Sequence, residues 1–209
     1  MTESMFRIKK GRDAKQETLG GTLDSVHQTV VTSLRESHAN QVSLAEQIAI
    51  LEESHPKAKE SDYYLFLAHQ PEILRQRSAA FNAIMYAPGG MPRAERELST
   101  AVVSRINGCV YCASVHAQRF EQLAKRNDSI KQVFTDPHTA GISEREKQII
   151  QFSILLTEKP DAVTASDIQA LKNAGLDDAE ILDLIHSVAI FAWANRLMLN
   201  LGEPVFPSA

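Results

Sequence analysis

The segment Pro92-Arg-Ala-Glu-Arg-Glu97-Leu-Ser-Thr-Ala-Val-Val-Ser-Arg-Ile106-Asn-Gly-Cys109-Val-Tyr-Cys112-Ala-Ser-Val-His116 reads as two helices joined by a tight turn. Pro92 suits the first turn of a helix, because it lacks an N–H that would go unpaired there anyway. Leu98, Ala101 and Val102 repeat at helical spacing, so the first helix is predicted to run to Ile106. Asn107-Gly108 is a stop signal that accepts a left-handed backbone. A second helix is predicted from about Cys109 to Arg126.

Working outward, helical periodicity dominates and period-two alternation is absent, so the predicted fold is an all-α, multi-helix bundle. Upstream, residues 1–20 read as a polar leader ending at Gly20-Gly21. Further helices are predicted at Asp24–Ser37, Ser43–Glu53, Asp62–His69 and Glu72–Tyr86, the last stopped by Pro88-Gly89-Gly90. Downstream, Ser143-Glu-Arg-Glu146 is a capping-box pattern opening a helix to Thr157. Thr164–Asn173 and a final helix from Asp177/Asp178 to Leu201 follow. Ser187 to Leu199 is apolar nearly all round, which predicts burial on most sides, in the core or against another subunit. Residues 21–209 are expected to form one helical domain, with residues 90–130 bearing the site. A weak echo aligns Ala94-Glu-Arg-Glu97 and Ser104 with Ser143-Glu-Arg-Glu146 and Ser153, which leaves an internal pseudo-repeat open. At that offset the cysteines fall on Glu158 and Asp161.

Composition narrows the class of function. A net charge of −4, with Lys and Arg scattered, gives no electrostatic footprint for nucleic acid. No run reaches the eighteen or so apolar residues of a membrane span, and Met1–Arg12 is polar and basic, unlike a secretory signal. A cytoplasmic protein without nucleic-acid or membrane partners is expected. No phosphate-cradling glycine loop or nucleophile elbow is present.

The two cysteines, Cys109 and Cys112, are the only ones in the chain and share one four-residue window. Such a pair cannot staple distant segments, so it suggests a local dithiol or half of a metal site. With His116 they occupy positions i, i+3 and i+7, within an arc of about 60° on one helix face at 100° per residue. His116 is one turn from Cys112 and can take its proton directly or through one water. Cys109, nearest the helix N-terminus, gains from the macrodipole. Glu97 lies at the edge of the Leu98/Ala101/Val102 stripe, where a hairpin about Gly108 would let it orient the imidazole and accept protons. A nucleophilic thiol, a base and a resolving thiol are what peroxide reduction or disulfide exchange needs. Zinc is the rival for the same four side chains. A structural zinc site, however, sets Cys-x-x-Cys in a tight turn and needs a second ligand pair. Taken singly, His116 and Glu97 would be ordinary packing or surface residues, and Glu97 a partner for nearby arginines.

Glu97, an eleven-residue gap, Cys-x-x-Cys and then His116 resembles alkylhydroperoxidase D and, more broadly, the carboxymuconolactone decarboxylase superfamily. The text around the cysteines, and Ile190-Phe-Ala-Trp-Ala-Asn195-Arg196, resembles the peroxidase-related branch. The resemblance covers about residues 60 to 202. It implies an all-α homo-oligomer that reduces a small hydroperoxide, with Cys112 attacking, Cys109 resolving, and His116 and Glu97 relaying protons. It implies no cofactor or metal, and a dithiol, thioredoxin-like or lipoyl-type reductant. Tyr111 stands where alkylhydroperoxidase D carries a histidine, which loosens the link to that protein's own reductant. A dithiol-disulfide reductase, a redox sensor and a lyase or decarboxylase remain the alternatives.

Overall fold

The structure, a computed structural model, describes residues 43–201 of the chain. Among these residues every regular element is helical and none is a strand, so the all-α expectation holds. The expected leader and the helix predicted at Asp24–Ser37 lie outside the described residues.

The described residues divide into two compact units, one holding residues 43–75 with 200–201, the other residues 76–199. In the first unit, α1 (Leu44–Ser54) begins with a full capping box. Ser43 Oγ accepts from the Glu46 amide at 3.2 Å while Glu46 Oε2 accepts from the Ser43 amide at 3.1 Å. A 3₁₀ turn (Ala58–Glu60) leads to α2 (Asp62–Leu67), and α3 (Pro71–Tyr86) starts on a proline, where no amide is lost to the helix. Ile50, Leu51, Ala58, Ala68 and Leu74 form this unit's core.

The second unit carries the rest of α3, then α4 (Arg93–Ile106), α5 (Val110–Ala124), α6 (Asp128–Thr135), α7 (Glu144–Glu158), α8 (Ala165–Asn173) and α9 (Asp178–Leu201). No helix was predicted at α6. α4 is the central helix, packed chiefly on α5 and α7, and every residue from Arg96 to Ser104 is buried. Its polar side chains are small enough to bond within the helix: Ser99 Oγ donates to Arg96 O and Thr100 Oγ1 to Glu97 O, each at 2.9 Å.

Arg96 is the exception, and it fixes the loop before α4. Its guanidinium donates to the carbonyls of Ile84 (2.8 Å), Ala87 (3.2 Å), Gly89 (2.5 Å) and Met91 (2.7 Å), and to Asp183 of α9 at 2.9 Å. Gly90 must be glycine here: its φ is +61°, and a Cβ would sit 1.9 Å from Asp183 Oδ2. Arg96→Met would strip partners from four carbonyls and one carboxylate. The expected cost is about 3–5 kcal/mol, or a fall in Tm on the order of 10 °C by circular dichroism. A fall of only a degree or two would show that water replaces the arginine.

The apolar helix α9 is buried along one side in the single chain. Ile181, Leu184, Val188, Phe191, Ala194 and Met198 face the core, but Leu182, His186, Ala189, Trp193, Arg196 and Leu199 are exposed on the opposite stripe. By length and composition α9 could cross a membrane, with a mean hydropathy of 1.3 over its most apolar window. Half of that window is buried, as in the core helix of a globular unit.

Candidate functional site

The turn between α4 and α5 is held from α9. Gly108 adopts φ +76°, the Cys109 amide donates to Ser104 O at 2.9 Å, and Asn107 Nδ2 donates to Asn195 Oδ1 at 3.1 Å. Asn195, itself fully buried, donates on to Ser104 Oγ at 3.1 Å. A buried amide with partners at both ends is costly to move, so the hairpin that presents the cysteines is pinned at its bend.

Cys109 is the N-cap residue of α5 and Cys112 lies in its first turn. The helix therefore begins one residue later than predicted, and both sulfurs stand where unpaired amides favour a thiolate. That removes the expected contrast in which the dipole favoured Cys109 alone. Cys109 is 0% and Cys112 6% exposed, and both are reduced thiols.

Glu97 and His116 meet as the sequence implied. His116 Nδ1–H donates to Glu97 Oε2, with the carboxylate fully buried and the ring 5% exposed. The imidazole edge packs on Phe191 of α9, centroids 4.3 Å apart and planes at 79°. With Nδ1 committed to Glu97, Nε2 is the nitrogen left to exchange a proton with a thiol. Cys112 stands one turn earlier on the same helix.

The sequence missed what surrounds this pair. Arg93, one turn before Glu97, donates to Oε1 through Nε at 2.7 Å and again through Nη2. Its guanidinium lies 3.9 Å from the centroid of the Tyr86 ring. Arg119 Nη1 stands 4.0 Å from Glu97 Oε1 and donates to Tyr86 Oη at 2.7 Å. The signal was available in part: Arg93 at i−4 from Glu97 and Arg119 at i+3 from His116 are helical neighbours. Tyr86 is at the end of α3 and carried no such cue.

Burial pushes the Glu97 carboxyl pKa up, but the His116 hydrogen bond, then the charges of His116 and Arg93, outweigh it and leave it below the ordinary value of 4.5. A depressed native pKa means the unfolded chain binds more protons in acid. Glu97 therefore stabilises the fold above about pH 4.5, and that contribution is lost as pH falls through the native value. The stability gap between wild type and Glu97→Gln should shrink on acidification from pH 7 toward pH 3 in urea titrations. A constant gap would contradict this account of the carboxylate.

Two of the echo residues, Glu146 and Ser153, match the burial of Glu97 and Ser104, but the partners differ. Glu146 is buried like Glu97, but pairs with Arg126 and accepts from Ser129 Oγ at 2.6 Å. Arg145, in the register of Arg96, bonds Glu95, Glu180 and Gly175 O. A cavity of about 320 Å³ lies elsewhere, lined by His138, Gln151, Ile154, Leu155, Glu158 and Lys159, and contains none of the four predicted site residues. Among the described residues, no three His, Cys, Asp or Glu side chains are arranged to hold a metal ion.

The fold and the site together define an all-helical protein with a buried thiol pair at a helix start and a carboxylate–imidazole pair one turn on. Residues 71–141 match the carboxymuconolactone decarboxylase family. Among solved structures, the chain is similar to an alkylhydroperoxidase AhpD core, a peroxidase-related protein from Ralstonia eutropha. Identity there is 26% over 75% of this chain and 83% of that one, with a TM-score of 0.63. A peroxidase-related protein from Silicibacter sp. TM1040 is 25% identical over 64% and 70% of the two chains, with a TM-score of 0.59. The debrominase Bmp8, 14% identical over 79% and 90%, shares the fold with a TM-score of 0.64. No curated protein matches the chain. Residues 71–141 thus resemble the carboxymuconolactone decarboxylase family, and the fold is shared with alkylhydroperoxidase D-like, peroxidase-related proteins.

Proposed function

We propose that the protein is a thiol-dependent hydroperoxide reductase working through Cys112, Cys109, His116 and Glu97. The observation that carries this reading is the buried Glu97–His116 pair, with Arg93 on the same carboxylate and His116 one turn after Cys112 on its helix. His116 Nε2 takes the Cys112 proton, and the Glu97 carboxylate stabilises the imidazolium that results. The Cys112 thiolate attacks the hydroperoxide: an S–O bond forms, the O–O bond breaks, and the leaving alkoxide takes the proton from His116 to depart as an alcohol. Cys109 then attacks the Cys112 sulfenic acid, an S–S bond forms, and the S–O bond breaks. Hydroxide leaves with the Cys109 proton as water. One peroxide is reduced and two thiols are oxidised, and an external dithiol, thioredoxin-like or lipoyl-type, restores the pair. A cytoplasmic homo-oligomer completes the proposal, with the exposed stripe of α9 as apolar helical surface for contact between copies.

Steady-state assay with excess dithiol tests it. Many equivalents of organic hydroperoxide should be consumed per chain. Consumption of one equivalent only, with no recovery, would indicate a redox sensor instead, and no consumption would remove the peroxidase reading.

A further inference from the structure

Two guanidiniums converge on the single buried carboxylate of Glu97, one more than its charge requires. Arg93 holds Oε1, whereas Arg119, 4.0 Å from the same atom, is too far away to hydrogen-bond it. Arg119 instead donates to the hydroxyl of Tyr86 and, among the described residues, has no other acidic side chain as an ion-pair partner. Arg93 and Arg119 set against Glu97 leave one positive charge in excess. The Arg93 and Arg119 side chains are 26% and 35% exposed, so that charge is within reach of a ligand.

The surroundings are shaped as well as charged. Tyr86 and Arg93 line a cavity of about 280 Å³ formed by the loop between α3 and α4. Arg96 also borders it, but its guanidinium is saturated by four carbonyls and Asp183. Arg93 Nη1 and Arg119 Nη2 make no hydrogen bond to the described residues. Cys112, His116 and Arg119 lie at i, i+4 and i+7 on α5, one face of the helix, with the Arg119 backbone on the order of 10 Å from Cys112 at 1.5 Å per residue.

We propose that Arg119 and Arg93, braced on Tyr86, form a carboxylate-recognition subsite, so that the preferred substrates are hydroperoxides of carboxylic acids with the peroxide some six atoms from the acid. This rests on the assignment of hydroperoxide reduction to Cys112. Bound there, the acid replaces bulk water as the partner of the surplus charge, and its chain runs along α5 past His116 toward the thiol.

Equilibrium binding tests the subsite independently of turnover. Calorimetry on the whole chain would compare ω-hydroxyhexanoate with its methyl ester. The acid should bind about tenfold more tightly or better, the value of one charge-assisted hydrogen bond pair, and the preference should weaken as salt rises. Arg119→Gln should erase the preference and Arg119→Lys restore part of it. In turnover, ω-hydroperoxyhexanoate should exceed its ester in kcat/KM by a similar factor, carried in KM. Equal binding of acid and ester, or a preference untouched in Arg119→Gln, overturns the subsite. Acid-selective binding without turnover of either hydroperoxide would uphold the subsite and refute the peroxidase reading.

Discussion

Cys112→Ser abolishes hydroperoxide turnover while leaving the helical circular dichroism spectrum intact. The serine hydroxyl at this position has no accessible anion at neutral pH, so the attack on oxygen is lost. The expected fall in kcat is about four orders of magnitude or more, as when a nucleophile is removed elsewhere. The fold should tolerate the change, since Cys112 is a small buried side chain and serine is nearly its size. Cys109→Ser separates the two roles. It should still react once, stopping at a sulfenic acid on Cys112 that a dimedone probe traps. If Cys112→Ser turns over and Cys109→Ser does not, the roles are reversed. The first turn of α5 makes that a real alternative, because both sulfurs feel the same helix terminus.

The second large effect is at Glu97. Glu97→Gln preserves volume but removes the charge that holds His116 Nδ1–H and balances Arg93. A neutral amide cannot stabilise the imidazolium, so kcat should fall by about 10²-fold or more. Glu97→Leu goes further, leaving Arg93 and His116 facing an apolar group at a fully buried position. Breaking a buried pair in this way costs about 3–5 kcal/mol, which urea unfolding would register. A Glu97→Gln enzyme within threefold of wild type would show that His116 needs no carboxylate.

Legibility in the sequence followed the range of the interaction. The α4–α5 hairpin could be read because caps, the Asn107-Gly108 stop and the i, i+3, i+7 spacing of Cys109, Cys112 and His116 are local. The meeting of Glu97 with His116 followed from folding that hairpin about Gly108. The partners of Asn195, Asn107 and Ser104, were not legible because they lie about ninety residues away. The sequence assigns no role to Arg96 or Arg93. Only the loop from Met85 to Pro92 and the ring of Tyr86 give them their roles. The short helix α6 escaped notice because Ile130 and Val133 supply only two buried apolar positions in eight residues. In α9, apolar content predicted burial on most sides, in the core or against another subunit, and in the single chain one stripe lies open, since hydropathy counts residues and not neighbours.

The central claim is that Cys109 and Cys112 form a redox pair driven by hydroperoxide. The direct measurement is a thiol count on the native protein before and after one equivalent of organic hydroperoxide, with mass spectrometry of the peptide containing both cysteines and zinc assayed in parallel. The account predicts loss of both thiols, a two-hydrogen mass decrease from an internal disulfide, no stoichiometric zinc, and recovery on adding a dithiol. Two thiols that survive peroxide unchanged, or a stoichiometric zinc ion that shields them, would contradict it.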